Sequence, residues 1–247
     1  MSDANGIVTS TYSLKKLYSK YNNNITVIEN HLPKYLWGDI KPRHNEYKEG
    51  DKIKILWAGS QNHFKHPDVI SAPDGGDFGI KLMDFIRKTV DKYEWNFMGA
   101  MPIELDDVKN KIVFHKWKDT WHYPRYVKSI KADIGIAPLE NNVFNSAKSN
   151  IKSLEFTACG IPGVYSNVDP YKFMSIKCDK EGYMISKIEE LADNVDLRKK
   201  TFIKDYSMVK DQLWWEGNNN LKKYVNSYLS LMGRKLPKGL QSENNML

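Results

Sequence analysis

The chain is poor in cysteine. Only two stand among its 247 residues. Cys159 and Cys178 sit in unrelated settings and make no metal spacing, which argues against a disulfide scaffold and fits a reducing compartment. Long hydrophobic runs are missing too. The longest, such as Ile53–Ala58 and Ile134–Leu139, are far too short to span a bilayer. The opening residues MSDANG lack a basic-then-apolar targeting pattern. These absences give the expectation of a soluble, cytoplasmic protein without a transmembrane segment. No Asp-x-Asp occurs, and no G-x-x-x-x-G-K-[ST] phosphate loop. His63, His66 and His115 lack the ordered spacing of a zinc site. No cofactor and no metal site is expected.

What is present is ordinary globular material, 41% hydrophobic and 27% charged. A net charge of +7 suits an anionic partner. The lysines are spread along the whole chain, so a nucleic-acid partner is admitted without being indicated.

Apolar runs alternate with amphipathic stretches. Strands are expected at Gly6–Thr9, Ile25–Glu29, Lys52–Ala58, Trp95–Met98, Ile112–Phe114, Ile134–Ala137 and Gly163–Ser166. Helices are expected at Thr11–Tyr21, Ile80–Tyr93, Trp121–Ile130, Ser149–Cys159 and from Ser186 onward. Pro42–Lys52 reads as a polar linker, Gln61–Gly79 as a Gly/Pro-rich loop, and the last dozen residues as a frayed tail. Strands alternating with helices predict an α/β fold, a Rossmann-like parallel sheet flanked by helices. Ligands of such sheets bind at the carboxyl ends of the strands.

One stretch carries most of the chemistry. Between Ala137 and Pro162 the pattern is strand, loop, helix, glycine stop. Lys148, Lys152 and Glu155 fall at i, i+4 and i+7, one face of an expected helix. A helix N-terminus with Lys148 and the Ser149 hydroxyl makes a diphosphate cradle. Glu155, two turns further in, is placed to accept hydrogen bonds from ribose hydroxyls. The plainer alternative is a surface helix with Lys–Glu pairs and a serine N-cap.

The run Lys148-Ser149, Lys152, Leu154-Glu155 and Ala158-Cys159-Gly160-Ile161-Pro162 resembles the donor-site signature of retaining GT-B glycosyltransferases. Ile53–Ser60 resembles the first strand and Gly-rich turn of that family's C-terminal domain. Phe97-Met98-Gly99, Val113–Trp117 and the turn Asn30-His31-Leu32-Pro33 follow its order of elements. The resemblance implies residues 1–40 as a remnant of an N-terminal domain, 41–235 as the nucleotide-sugar-binding domain and 236–247 as a flexible tail. It implies transfer of a hexose-type sugar from a nucleoside diphosphate to an acceptor hydroxyl, with retention and no metal.

The resemblance also implies individual roles. Glu155 matches the second glutamate of the family's E-x7-E motif and would hold the donor ribose. Gly59, Ser60, His63 and Lys65 fall on the diphosphate loop, Trp117 beside the base, and Lys148, Ser149 and Lys152 near the diphosphate and sugar. Lys148 and Glu140 are the catalytic candidates. Ala147 stands where the family has its first glutamate, so Glu140, then Asn145, is the candidate for that contact to the sugar. His63 and Lys65 replace the expected Arg and Lys. Most of the acceptor-binding half has no counterpart in these residues, which implies a second chain or a missing N-terminal half. A non-catalytic nucleotide-sugar-binding module and a DNA-modifying glycosyltransferase stand as alternatives.

Overall fold

In the computed structural model, residues 4–64, 76–217 and 219–235 are described. A small parallel pair opens the chain: β1 (Ile7–Thr9), helix α1 (Tyr12–Tyr18) and β2 (Ile25–Val27), with Ile7 opposite Ile25. A short α2 (Lys34–Trp37) follows. The main sheet then begins with β3 (Lys54–Ala58), α3 (Ile80–Thr89), β4 (Glu94–Met98) and β5 (Val113–His115). It continues through α4 (Tyr123–Ile130), β6 (Ile134–Ala137), α5 (Val143–Ser146), α6 (Ile151–Ala158), β7 (Gly163–Ser166) and β8 (Lys177–Cys178). Three helices close the chain: α7 (Glu181–Asp193), α8 (Val195–Leu213) and α9 (Asn220–Leu231).

The six main strands are all parallel, in the order β5-β4-β3-β6-β7-β8. The inner strands β3, β6 and β7 are apolar at nearly every position because both faces of the sheet are covered there, whereas edge strand β5 leaves Val113 and Phe114 exposed. Side chains alternate between the faces. Ile55 and Trp57 of β3 join Trp95, Phe97, Ile136 and Val164 under α3 and α7. Leu56 and Ala58 face the other way, with Met98, Ala137 and Tyr165 under α4, α6 and α8. Strand order reverses between β3 and β6, which makes the loops after Ala58 and Ala137 the edge where such sheets take a ligand.

Several boundaries differ from expectation. The helix expected from Ser149 begins at Ile151, because Asn150 leaves helical geometry at φ −80°, ψ 22°. Lys148 therefore lies in a turn, off the helical face that carries Lys152 and Glu155. The helix expected to run to Tyr93 stops at Thr89, and Tyr93 drops into the core beside Phe85 and Trp95. The helical region expected from Ser186 starts at Glu181 and breaks at Asn194. There the Asn194 side chain caps α8 by accepting from Leu197 N (2.8 Å). Both α5 and a 3-10 stretch at Ile103–Lys111 were unexpected. The tail expected at 236–247 lies outside the described residues.

Pro42–Lys52 is more than a linker. Arg43 is buried; its Nε donates to Lys131 O (2.9 Å) and lies 3.5 Å from Asp133 Oδ1. Asp133 Oδ2 in turn accepts from Lys54 N (2.9 Å) at the start of β3. Burial pushes the Asp133 carboxyl above the usual range, against the pull of these partners. The same segment presses on the end of α6. Gly160 stands at φ +76°, and a Cβ there would meet Lys41 O at 2.2 Å. Gly160→Ala combines left-handed strain with a backbone collision and should cost about 3 kcal/mol, roughly 6–12 °C in melting temperature. An unchanged thermal melt would contradict this account of the α6 stop.

Candidate functional site

The loops at the carboxyl edge gather side chains into three clusters. The first centres on Asp77, whose side chain is only 6% exposed. His63 Nδ1 donates to Asp77 Oδ2 at 2.6 Å. Glu140 N and Asn145 Nδ2 both donate to Oδ1, at 2.8 and 2.7 Å. Lys148 Nζ lies 3.6 Å from Oδ2. Burial alone would raise the Asp77 carboxyl; the His63 bond, the Glu140 amide and Lys148 outweigh it and hold the group below the usual carboxylate range. Burial pulls the Lys148 ammonium below its ordinary value, partly offset by Asp77.

The fold explains why these residues meet. Beyond β6 the chain turns through Pro138 and Leu139, and Ser166 Oγ on β7 fixes the turn by accepting from Leu139 N (2.8 Å). Asn142 caps α5 by accepting from Asn145 N (2.8 Å) and also donates to Glu140 Oε2 (3.1 Å). The buried Asn145 amide adds a bond to Glu140 O (2.9 Å). The whole β6–α6 loop is thus wound around Asp77, which arrives from the loop ahead of α3.

The second cluster stands on α6. Lys152 Nζ and Tyr123 Oη both donate to Glu155 Oε2, at 2.7 and 3.0 Å. Burial first, then the Glu155 charge, raises the Tyr123 phenol well above its ordinary value, so it stays protonated and donating. Trp117, 57% exposed, lies with its ring centroid 5.2 Å from that of Tyr123. Its ring also crowds Gly99, whose φ of +93° carries no Cβ; one would meet Gly59 O at 2.5 Å and the Trp117 ring at 2.6 Å. That glycine is what lets the β3 turn close on Trp117.

The third cluster ties the N-terminal segment to α6 and α8. Asn30 Nδ2 donates to Ser149 Oγ (2.7 Å), and Asn150 Nδ2 to Gln212 Oε1 (2.8 Å). Gln212 Nε2 returns bonds to Asn30 O and Asn150 Oδ1, both at 3.1 Å. The ring N–H of His31 donates to Gln212 O (2.5 Å). Leu32 N also donates to Leu213 O (2.8 Å).

Of the residues singled out by sequence, His63, Glu140, Asn145 and Lys148 converge on one carboxylate, and Lys152 and Glu155 on one another. Glu140 joins through its backbone amide. Ser149 is no helix cap; its hydroxyl belongs to the Asn30 network. Gly59 ends β3, its N–H donating to Met98 O (3.0 Å). Ser60 is exposed, without a side-chain cap bond to the turn it opens. Lys65 and His66 lie outside the described residues. His115 is held by Asn96 Oδ1 (2.8 Å) and Tyr126 Oη (3.0 Å), away from all three clusters. Sequence reasoning missed Asp77 and Tyr123. Tyr123 had a local signal, an aromatic at the head of a helix six residues past Trp117; Asp77 had none. Among the described residues, no group of three or more His, Cys, Asp or Glu could hold a metal ion, and no helix is long and apolar enough to cross a membrane.

No protein-family model matches this sequence, and neither does any curated protein. Solved structures do match. Sucrose-phosphate synthase from Thermosynechococcus elongatus aligns with a TM-score of 0.60 at 11% identity, over 92% of this chain and 58% of that one. HepE from Anabaena, solved with UDP and glucose, gives 0.61 at 8% identity, over 92% and 63%. An alpha-glucosyltransferase solved with UDP and a 13-mer DNA containing an HMU base gives 0.53 at 13%, over 90% and 64%. The chain thus spans about three fifths of the length of these proteins. At such identities the likeness is one of fold, and the fold of this chain is that of the GT-B glycosyltransferases.

Proposed function

We propose that the carboxyl edge binds a nucleoside-diphosphate sugar and that the chain serves transfer of its sugar to an acceptor hydroxyl. The observation that carries this is the placing of Lys148, Lys152 and Glu155 beyond β6, at the strand-order reversal of a GT-B fold. Lys148 and Lys152 are 27% and 19% exposed at the side chain, close enough to solvent to meet an anion. Asn150 gives the start of α6 no side-chain cap, which leaves amides there for a phosphate oxygen. Trp117 offers a ring for the base, and Glu155 an acceptor for the ribose hydroxyls.

In the transfer, the bond from the anomeric carbon to the diphosphate oxygen breaks and its electron pair leaves with the nucleotide. The acceptor oxygen forms the new bond and gives up its proton to the departing diphosphate oxygen. Negative charge grows on the leaving diphosphate, where Lys148, Lys152 and the α6 amides oppose it. Retention at the anomeric carbon and independence of metal belong to this proposal. Its test is calorimetric titration with UDP and UDP-glucose in the presence of EDTA. Binding in the micromolar range is expected, weakened about tenfold by Glu155→Ala. Binding that appears only with added divalent cation would sink the metal-free form, and no binding at all would sink the donor site.

A further inference from the structure

A cleft of about 340 Å³ opens at the carboxyl ends of β6, β7 and β8, beside the Asp77 cluster and without Lys148 in its lining. Asp77 and Glu140 form one wall, and Asn167, Asp179 and Glu181 supply further polar groups. Leu82, Val168 and Met184 give apolar surface between them. Among the described residues that line it, Lys180 is the one lysine or arginine, against four carboxylates. That balance repels phosphate and suits an uncharged ligand rich in O–H donors. At roughly 30 Å³ per water the space holds about eleven waters, the scale of one hexose with its twelve heavy atoms.

A second observation points to such a ligand. Glu181 Oε1, at the start of α7, is buried and has no hydrogen-bond partner among the described residues. It packs over Gly79, where a Cβ would lie 1.9 Å from it. A buried carboxylate oxygen without a donor is costly, and since Glu181 lines the cleft, a turn of its side chain off Gly79 would bring that oxygen to a ligand hydroxyl. Asn167, by contrast, is already oriented, its Nδ2 donating to Asp179 Oδ1 (2.7 Å).

We infer that this cleft is a subsite for one uncharged sugar ring, bound between the Asp77–Glu140 wall and Glu181. That the ring is a sugar rests on the donor reading above. It belongs either to the donor or to the acceptor, and the test separates them. Wild type, Glu181→Ala and Asn167→Ala are titrated with UDP, UDP-glucose, UDP-N-acetylglucosamine and methyl α-glucopyranoside, with thermal melts confirming that each variant folds. UDP should bind all three proteins alike. At least one sugar-bearing ligand should bind each variant tenfold or more weakly. A loss on the UDP-sugars assigns the cleft to the donor; a loss on the methyl glycoside assigns it to the acceptor. Variants that bind every sugar-bearing ligand as wild type does would overturn the inference. Failure of UDP to bind the wild type counts against the donor site alone, and the methyl glycoside still tests the cleft.

Discussion

Asp77→Ala should lower stability by about 3–5 kcal/mol, the scale of breaking a buried hydrogen-bond network. The substitution strands four groups at once: the His63 ring N–H, the Glu140 amide, the Asn145 side-chain amide and the Lys148 ammonium. The Glu140 amide is left without a partner, which costs about 1–3 kcal/mol unless water reaches it, while Asn145 keeps its bond to Glu140 O (2.9 Å). The β6–α6 loop should loosen before the sheet does, because the hydrogen bonds of β6 and β7 do not involve Asp77. Hydrogen exchange at 139–149 is therefore the sensitive readout, beside the melting temperature. Asp77→Asn keeps one acceptor oxygen and should recover part of the loss.

The pH dependence follows with a definite sign. The folded carboxyl titrates below its ordinary range. A depressed acid contributes stability that is complete above its unfolded value and is lost as pH falls through the folded one. Asp77's share should thus be flat near neutrality and disappear below about pH 4. Neither Asp77→Ala nor Asp77→Asn should show that share of the acid limb. An alanine variant as stable as wild type at pH 7 would show that the cluster is decorative.

Much of the sheet was open to a reader of the sequence. Ile134–Ala137 and Gly163–Ser166 form strands where their apolar runs lie, because strands covered on both faces have no other reason to be so continuously apolar. The position of Lys148 in the loop between β6 and α6 was legible from the strand-loop-helix pattern around it. The centre of the cluster was not. Asn145 and Asp77 are 68 residues apart in the chain, and Asp77 sits in a Gly-rich run where it reads as a turn former. Only the topology, which sets the loop ahead of α3 against the β6–α6 loop, brings the carboxylate to its four partners. Likewise the i, i+4 spacing of Lys148 and Lys152 suggested a shared face. Asn150 ends that register, so Lys148 turns to Asp77 while Lys152 pairs with Glu155 three residues on.

That divergence separates folding from binding at Lys148. Lys148→Ala removes an ammonium that stands 3.6 Å from Asp77 and is 27% exposed. Asp77 keeps three shorter hydrogen bonds, so the stability cost should stay near 1 kcal/mol, as for a partly solvated pair. The effect on a diphosphate should be much larger. A charge-assisted contact to phosphate is worth about 2–3 kcal/mol, which is a loss of roughly 30- to 150-fold in affinity for UDP. The loss should shrink as salt rises, because the missing term is electrostatic. Lys148→Arg should restore binding only in part, since the planar guanidinium replaces a compact point charge in a loop shaped around Asp77. Calorimetry with UDP at two ionic strengths, paired with thermal melts, reads both quantities. Equal UDP affinity in wild type and Lys148→Ala would remove Lys148 from the donor site and leave it as Asp77's counter-ion alone.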